Sequence, residues 1–236
     1  MNMYGIVLAG TRVSLLPSGV LWWPAAGLMA AGDLHLGRAE RAARTGGALL
    51  PPYETAETLD RLAAEVDRLR PRTVLMLGDS FDDMAAAEGL GDEIVERLMR
   101  LAAGRRWIWI AGNHDPGPAA LPGSHRAEWR EGPLVFRHIA DPAASAAGCG
   151  EVSAHYHPKA RLCLRGQPIA RACFLAGGAR LILPAFGTYT GGLDIRDPAF
   201  DGLVGPEATA FLLGRCITPV PRRGLVGGRS TRPLAV

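Results

Sequence analysis

Apolar residues in the first half of the chain follow two rhythms in alternation. Short unbroken runs, "GLMAAGD" (27–33), "TVLMLGD" (73–79) and "RRWIWIAGNHD" (105–115), each end in a glycine followed by a carboxylate or an amide. A short apolar run bounded by turn residues predicts a strand buried on both faces. Between the first two runs, Leu59, Leu62, Val66 and Leu69 recur at helical spacing before Pro71 closes the segment. That spacing predicts an amphipathic helix from Tyr53 to Leu69, and a second helix is expected from about Asp92 to Ala103. Strand, helix, strand, helix, strand from Leu28 to Asn113 is the order of a parallel sheet with right-handed crossovers. Ahead of it, "RVSLLPSGVLWW" reads as a hairpin.

The second half keeps only the short rhythm. "PLVFRHI", "GEVSAHYHP", "RLCLRG", "IARACFLAGG" and "RLILPAFG" are short runs separated by turn residues, with no comparable helix. They predict a second, mostly antiparallel sheet. Two sheets flanked by helices give an α/β fold, a two-sheet αββα sandwich. The length of 236 residues suits one sizeable domain, taken here as 1–217. From Thr218 onwards Arg222, Arg223, Arg229 and Arg232 occur among Pro and Gly without an acid, which predicts a flexible basic tail over 218–236.

Composition changes this picture little. The formal net charge is +3, and Lys159 is the only lysine among the 26 basic residues. A coding bias explains an arginine excess, and so does phosphate recognition by guanidinium groups. Cys149, Cys163, Cys173 and Cys216 show neither a CxxC pair nor a disulfide framework, so they read as reduced thiols, as in a cytoplasmic protein. Val13 to Gly32 carries no charge, but Pro17, Gly19 and Pro24 interrupt it, which argues against a membrane span.

The chemistry gathers where the predicted parallel strands end: Asp33 with His35, Asp79 with Asp83 nearby, then Asn113, His114 and Asp115. In a parallel sheet these ends share one edge, where open α/β sheets bind their ligands. The second half adds His138 after "LVFR", and His155 and His157 in "SAHYHP"; an H-x-H placed on a strand turns both imidazoles to one face. This nitrogen and oxygen set contains no thiolate, which suits Mn, Fe or Zn better than Ca or a structural zinc. It holds too many ligands for one transition metal, and two ions sharing a carboxylate would use them.

"GDLH", "GDSFDD", "GNHD", a later lone His and "AHYH" resemble the five motifs of calcineurin-like metallophosphoesterases. The resemblance implies that Asp33, His35, Asp79 and His157 hold one metal, and that Asp79, Asn113, His138 and His155 hold a second. It also implies that His114, polarised by Asp115, acts on the substrate. "RHIADP" departs from the family's spacing around its lone His, and Ala154 stands where the family usually has glycine. "GDLHLGRAERAARTGGALLPPYETAETLDRL" and "LPAFGTYTGG" are similar to the ligase-associated DNA damage response group called PdeM. That group implies a Mn-dependent phosphodiesterase with DNA endonuclease activity, in functional association with a DNA ligase and a helicase. Mn is the metal expected, with Fe, Zn or Mg as alternatives. Arg38 and Arg41 are candidates for holding a phosphodiester backbone. Asp82 and Asp83 replace a His and a small hydroxyl residue seen in many relatives, a change that would alter substrate handling beside Asp79 without disturbing the metals; a solvated acidic turn capping the next helix would explain them equally well. Two competing functions remain: a phosphatase or nucleotide phosphodiesterase for small substrates, and a non-catalytic scaffold on the same fold.

Overall fold

A computed structural model describes residues 2–47, 49–117, 119–143, 148–164 and 166–224. The first sheet is built in chain order. β1 (Tyr4–Leu8), β2 (Thr11–Leu15) and β3 (Leu21–Trp23) form an antiparallel meander that includes the expected hairpin. β4 (Leu28–Ala31) pairs antiparallel with β3 and parallel with β5 (Thr73–Leu77). β6 (Arg106–Ile110) and β7 (Ser124–Arg126) continue the parallel half. The helices α1 (Arg38–Arg44), α2 (Glu54–Leu69), α3 (Met84–Glu88) and α4 (Asp92–Ala102) lie in the crossovers. α2 and α4 are the two helices read from periodicity. α1 and α3, of seven and five residues, are too short to establish a period.

The second sheet has the order β15-β14-β12-β13-β10-β9-β8. Its strands are β8 (Glu128–Glu131), β9 (Leu134–Arg137), β10 (Gly150–Ser153), β12 (Gln167–Gly177), β13 (Arg180–Ile182), β14 (Thr209–Leu212) and β15 (Thr218–Pro221), while β11 (Lys159–Leu164) pairs β12 off this path. Most pairings are antiparallel, as expected, but β10 runs parallel to both β9 and β13. The short α5 (Asp201–Val204) thinly covers its outer face.

Side-chain alternation sorts each fully buried strand between two cores. Leu28, Ala30, Leu75, Leu77, Ile108 and Ile110 face the second sheet, where they meet Phe136, Val152, Phe174 and Leu181. Met29, Ala31, Val74, Met76, Trp107 and Trp109 face the helices and pack on Leu59, Leu62, Val66 and Leu98. Burial of each large side chain stabilises by ~1.5–3 kcal/mol relative to exposure. This double burial is why the strands read as unbroken apolar runs. Among the described residues no helix is long and apolar enough to cross a membrane; the charge-free stretch is strands β2 to β4.

Residues 218–222 do not belong to a flexible tail. Thr218 to Pro221 pair with β14, and Arg222 is 1% exposed. The guanidinium of Arg222 donates to the carbonyls of Ile195, Gly205 and Asp197 and to Asp201 Oδ1. A basic Pro-containing segment looked solvated because its acceptors lie 17–27 residues upstream, beyond any local pattern. Residues 225–236 of the expected tail lie outside the described residues.

Candidate metal centre and phosphate site

The candidate residues sit at strand ends. Asp33 and His35 follow β4, Asp79 follows β5, Asn113, His114 and Asp115 follow β6, and His138 follows β9. His155 and His157 lie beyond β10, which ends at Ser153, so the expectation of an H-x-H on a strand is corrected. Both residues have left-handed backbones, with φ of 67° and 44°, and this turns the two imidazoles into different clusters.

Asp33, His35 and His157 form the first cluster, and Asp79, His138 and His155 the second. Asp79 lies between them, its Oδ2 3.3 Å from His138 Nε2 and 4.0 Å from His35 Nε2. Asn113 Oδ1 is 3.0 Å from His138 Nε2, on the side of the second cluster. The structure therefore brings these seven residues to one place, with Asp33, His35 and His157 on one side, Asn113, His138 and His155 on the other, and Asp79 between them. A third grouping, His35, Asp82 and His114, adjoins the first cluster. A cavity of about 410 Å³ opens beside the second cluster, lined by Asn113, Glu128, Arg137, His138 and Ile139 among others.

Two glycines permit this convergence. A Cβ on Gly112 would lie 2.2 Å from Asp79 N and Oδ1, so "GN" is the only form that lets the β6 turn meet the β5 turn. Gly78 has φ of +79° and carries the His138 ring where a Cβ would stand, 2.5 Å from it. Asp33, His35 and Asp79 also have positive φ. Such residues cost on the order of 1–3 kcal/mol each and persist where surrounding structure fixes them, as at binding sites.

The donor atoms fit cations. His138 Nδ1 lies 2.8 Å from the Leu77 carbonyl, which only accepts, so Nδ1 carries the proton. In the neutral ring the Nε2 lone pair then points at Asp79 Oδ2, Asn113 Oδ1 and His155 Nδ1, 3.0–3.3 Å away. Lone pairs converging in this way repel unless a cation joins them. His35 Nε2 and His157 Nε2 are buried without a hydrogen-bond partner, and His157 Nε2 is 3.1 Å from Asp33 Oδ1. These orphaned nitrogens beside carboxylates suit divalent ions, with second partners fixing the rings.

Electrostatics reflects the crowding. Burial pushes the Asp79 carboxyl up, but His138, the His114 N–H and His35 hold it well below the ordinary carboxylate range. Burial lowers both His138 and His155; Asp79 and Asp33 reverse this for His138, whereas the nearby His138 lowers His155 further.

Two acidic residues take roles that the sequence did not assign. Asp115 does not polarise His114: its carboxylate accepts backbone N–H groups from Asp79, Ser80, Phe81 and Gly112. His114 Nδ1 instead donates to the Asp82 carbonyl at 2.8 Å, and its own N–H donates to Asp79 Oδ1 at 2.9 Å. Asp82 is 4% exposed, so it is no solvated turn. Its Oδ1 lies 2.9 Å from His35 Nδ1 and accepts from Arg38, while its Oδ2 accepts from Arg41. Asp83 does behave as a cap, accepting from Ala86 N at the start of α3. Arg38 and Arg41 thus reach the site from α1, with Arg41 Nη1 3.5 Å from His114 Nδ1. The one sequence signal for Asp82 was its position three residues after Asp79, following a strand.

Comparison with known proteins accords with this geometry. Residues 28–172 match the family described as calcineurin-like phosphoesterase. The structure is similar to that of the nuclease MPE of Pseudomonas putida, at 26% identity and a TM-score of 0.72, covering 93% of this chain and 100% of that one. It also aligns with YfcE, a phosphoesterase from E. coli, at 14% identity and a TM-score of 0.41, covering 82% of this chain and 98% of that one. No curated protein matches by sequence. With the family match spanning both strand-end clusters and their orphaned imidazoles, the chain belongs to the calcineurin-like phosphoesterases and is a metal-dependent hydrolase.

Proposed function

We propose that the chain is a dinuclear-metal phosphodiesterase whose substrate is DNA, acting as an endonuclease. The observation that carries the two-metal part is Asp79, which faces both His35 and His138 and so joins the two clusters. Asp33, His35, Asp79 and His157 would hold one ion; Asp79, Asn113, His138 and His155 would hold the other. Divalent ions bound there would supply Lewis acidity to the phosphoryl group and an activated water for in-line attack. A nitrogen and oxygen donor set without thiolate suits Mn, Fe or Zn, and the sequence resemblance favours manganese, with Fe, Zn and Mg as alternatives.

His114 is fixed by two hydrogen bonds, and its Nδ1–H is already donated to Asp82, so Nε2 is the atom left for the substrate. When protonated, Nε2 donates to the leaving oxygen or to a phosphoryl oxygen, a contribution of about 10²–10⁴ in rate. Arg38 and Arg41 stand on the same rim, held by Asp82, and offer their remaining N–H groups to a phosphodiester backbone. DNA as substrate is supported by the likeness to a nuclease over 93% of the chain. A task in DNA repair beside a ligase and a helicase is the finer reading, supported by the sequence resemblance alone.

The test compares bis-p-nitrophenyl phosphate, p-nitrophenyl phosphate and circular single-stranded DNA, side by side, with Mn-loaded protein. Diester turnover above monoester turnover is expected, with DNA nicking that weakens as salt rises because phosphate contacts release counterions. Robust monoester turnover without action on DNA would replace this reading with the small-substrate phosphatase. Full activity in excess chelator would remove the metal mechanism.

A further inference from the structure

Of the eight described non-glycine residues with positive φ, five are candidate metal ligands and a sixth is Tyr189, at 62°. A bulky aromatic residue adopts this region only where its surroundings impose it. Here they do. Gly187 N donates to the Asp33 carbonyl at 3.0 Å, and Thr188 N donates to Thr58 Oγ1 at 3.2 Å. Lys159 Nζ donates to the Thr190 carbonyl at 2.9 Å. Gly192 packs so closely on His157 that a Cβ would lie 2.1 Å from its carbonyl oxygen. The loop therefore runs from Asp33 to His157, two members of one cluster, with Tyr189 between its anchors.

Lys159 is the only lysine in a chain that elsewhere uses arginine. Its compact ammonium meets one main-chain carbonyl, a contact that the planar fork of arginine serves poorly. Despite all these anchors, the side chain they support is 43% exposed and makes no hydrogen bond or ring contact among the described residues. A strained backbone, braced at both ends, presents an aromatic ring with part of its surface open to solvent.

We propose that Tyr189 is a stacking platform for a nucleobase next to the phosphate held between the two clusters, and so a specificity-determining residue that favours a base-bearing strand over a bare phosphodiester. The inference rests on the DNA reading above. Every nucleobase has a π-face, so such a platform tolerates any sequence. A ring fixed before binding spares the cost of ordering it on contact.

The test uses Mn-loaded full-length protein and two oligonucleotides, one with a central run of thymidines and one with abasic residues in their place. Tyr189→Asn removes the ring and keeps a residue that tolerates the left-handed backbone; metal content and Tm check that the loop survives. Wild type should cleave the thymidine run with the lower KM. Tyr189→Asn should raise that KM by about 5- to 100-fold with little change in kcat and lose the preference, while Tyr189→Phe keeps it. Retention of the preference by Tyr189→Asn, or its loss in Tyr189→Phe, overturns the inference. Equal use of both oligonucleotides by wild type overturns it too but leaves the nuclease reading standing. Cleavage of neither, with p-nitrophenyl phosphate turned over, overturns both.

Discussion

Asp82 and Asp115 stand in neighbouring turns, after β5 and β6, and both are buried, yet their partners are of opposite kinds. Asp115 accepts only main-chain N–H groups, from both turns, and so ties the Asp79 turn to the Gly112 turn. Asp82 accepts from Arg38 and Arg41, faces His35, and through its carbonyl holds His114. Their acidities diverge accordingly. Burial raises both, but His35 and Arg41 pull Asp82 down to about 2, whereas Asp115 stays up at about 6, with the Asp79 charge opposing its amide hydrogen bonds. Asp115, the aspartate of "GNHD", is a frame; Asp82, the second aspartate of "GDSFDD", sets side chains that face the reaction. A carboxylate's task follows from what it touches, not from which motif contains it.

Substitutions can break this contrast, and the largest effect should come from the residue both turns share. Asp79→Ala is expected to abolish activity and both metals together, read by elemental analysis after reconstitution; retention of one full equivalent would refute the bridge. His114→Ala should lower kcat by about 10²–10⁴ with metal content nearly unchanged. DNA should suffer more than a diester with a p-nitrophenolate leaving group if His114 is the general acid, and loss of metal would move His114 into the ligand set.

Asp115→Ala leaves three buried N–H donors and one half-buried donor unpaired, each buried one worth ~1–3 kcal/mol, so a loss of at least about 3 kcal/mol in stability is expected by denaturant unfolding. Asp82→Ala should do less to the fold and more to the site. Weakening of metal affinity by about 10- to 100-fold is expected, as for loss of a carboxylate behind a ligating histidine. Isothermal titration of the metal into both variants separates the two turns. If Asp82→Ala unfolds the protein while Asp115→Ala spares it and weakens metal binding instead, the contrast is reversed and the assignment fails.

Much of the site was legible because it repeats one local device. Glycine followed by a candidate ligand at the end of an apolar run marks Gly32–Asp33, Gly78–Asp79 and Gly112–Asn113, and Gly78 and Gly112 leave no room for a Cβ. Period and turn chemistry need only neighbouring residues, so the sequence could display them. α1, only seven residues long, had too few turns to show a period, yet it delivers Arg38 and Arg41.

By itself the sequence determined the double-buried strands, the two longer helices, the edge on which ligands gather and the family resemblance, since all of these are patterns of spacing along the chain. Only the tertiary structure decided that His155 and His157 lie beyond the strand on left-handed backbones, that Asp115 frames while Asp82 positions, and that Thr218 to Arg222 belong to the second sheet and its buried core. The physical reason is the same in each case. These roles are set by hydrogen bonds and close approaches between segments tens of residues apart, and such contacts, unlike periodicity, leave no mark on the order of the residues that make them.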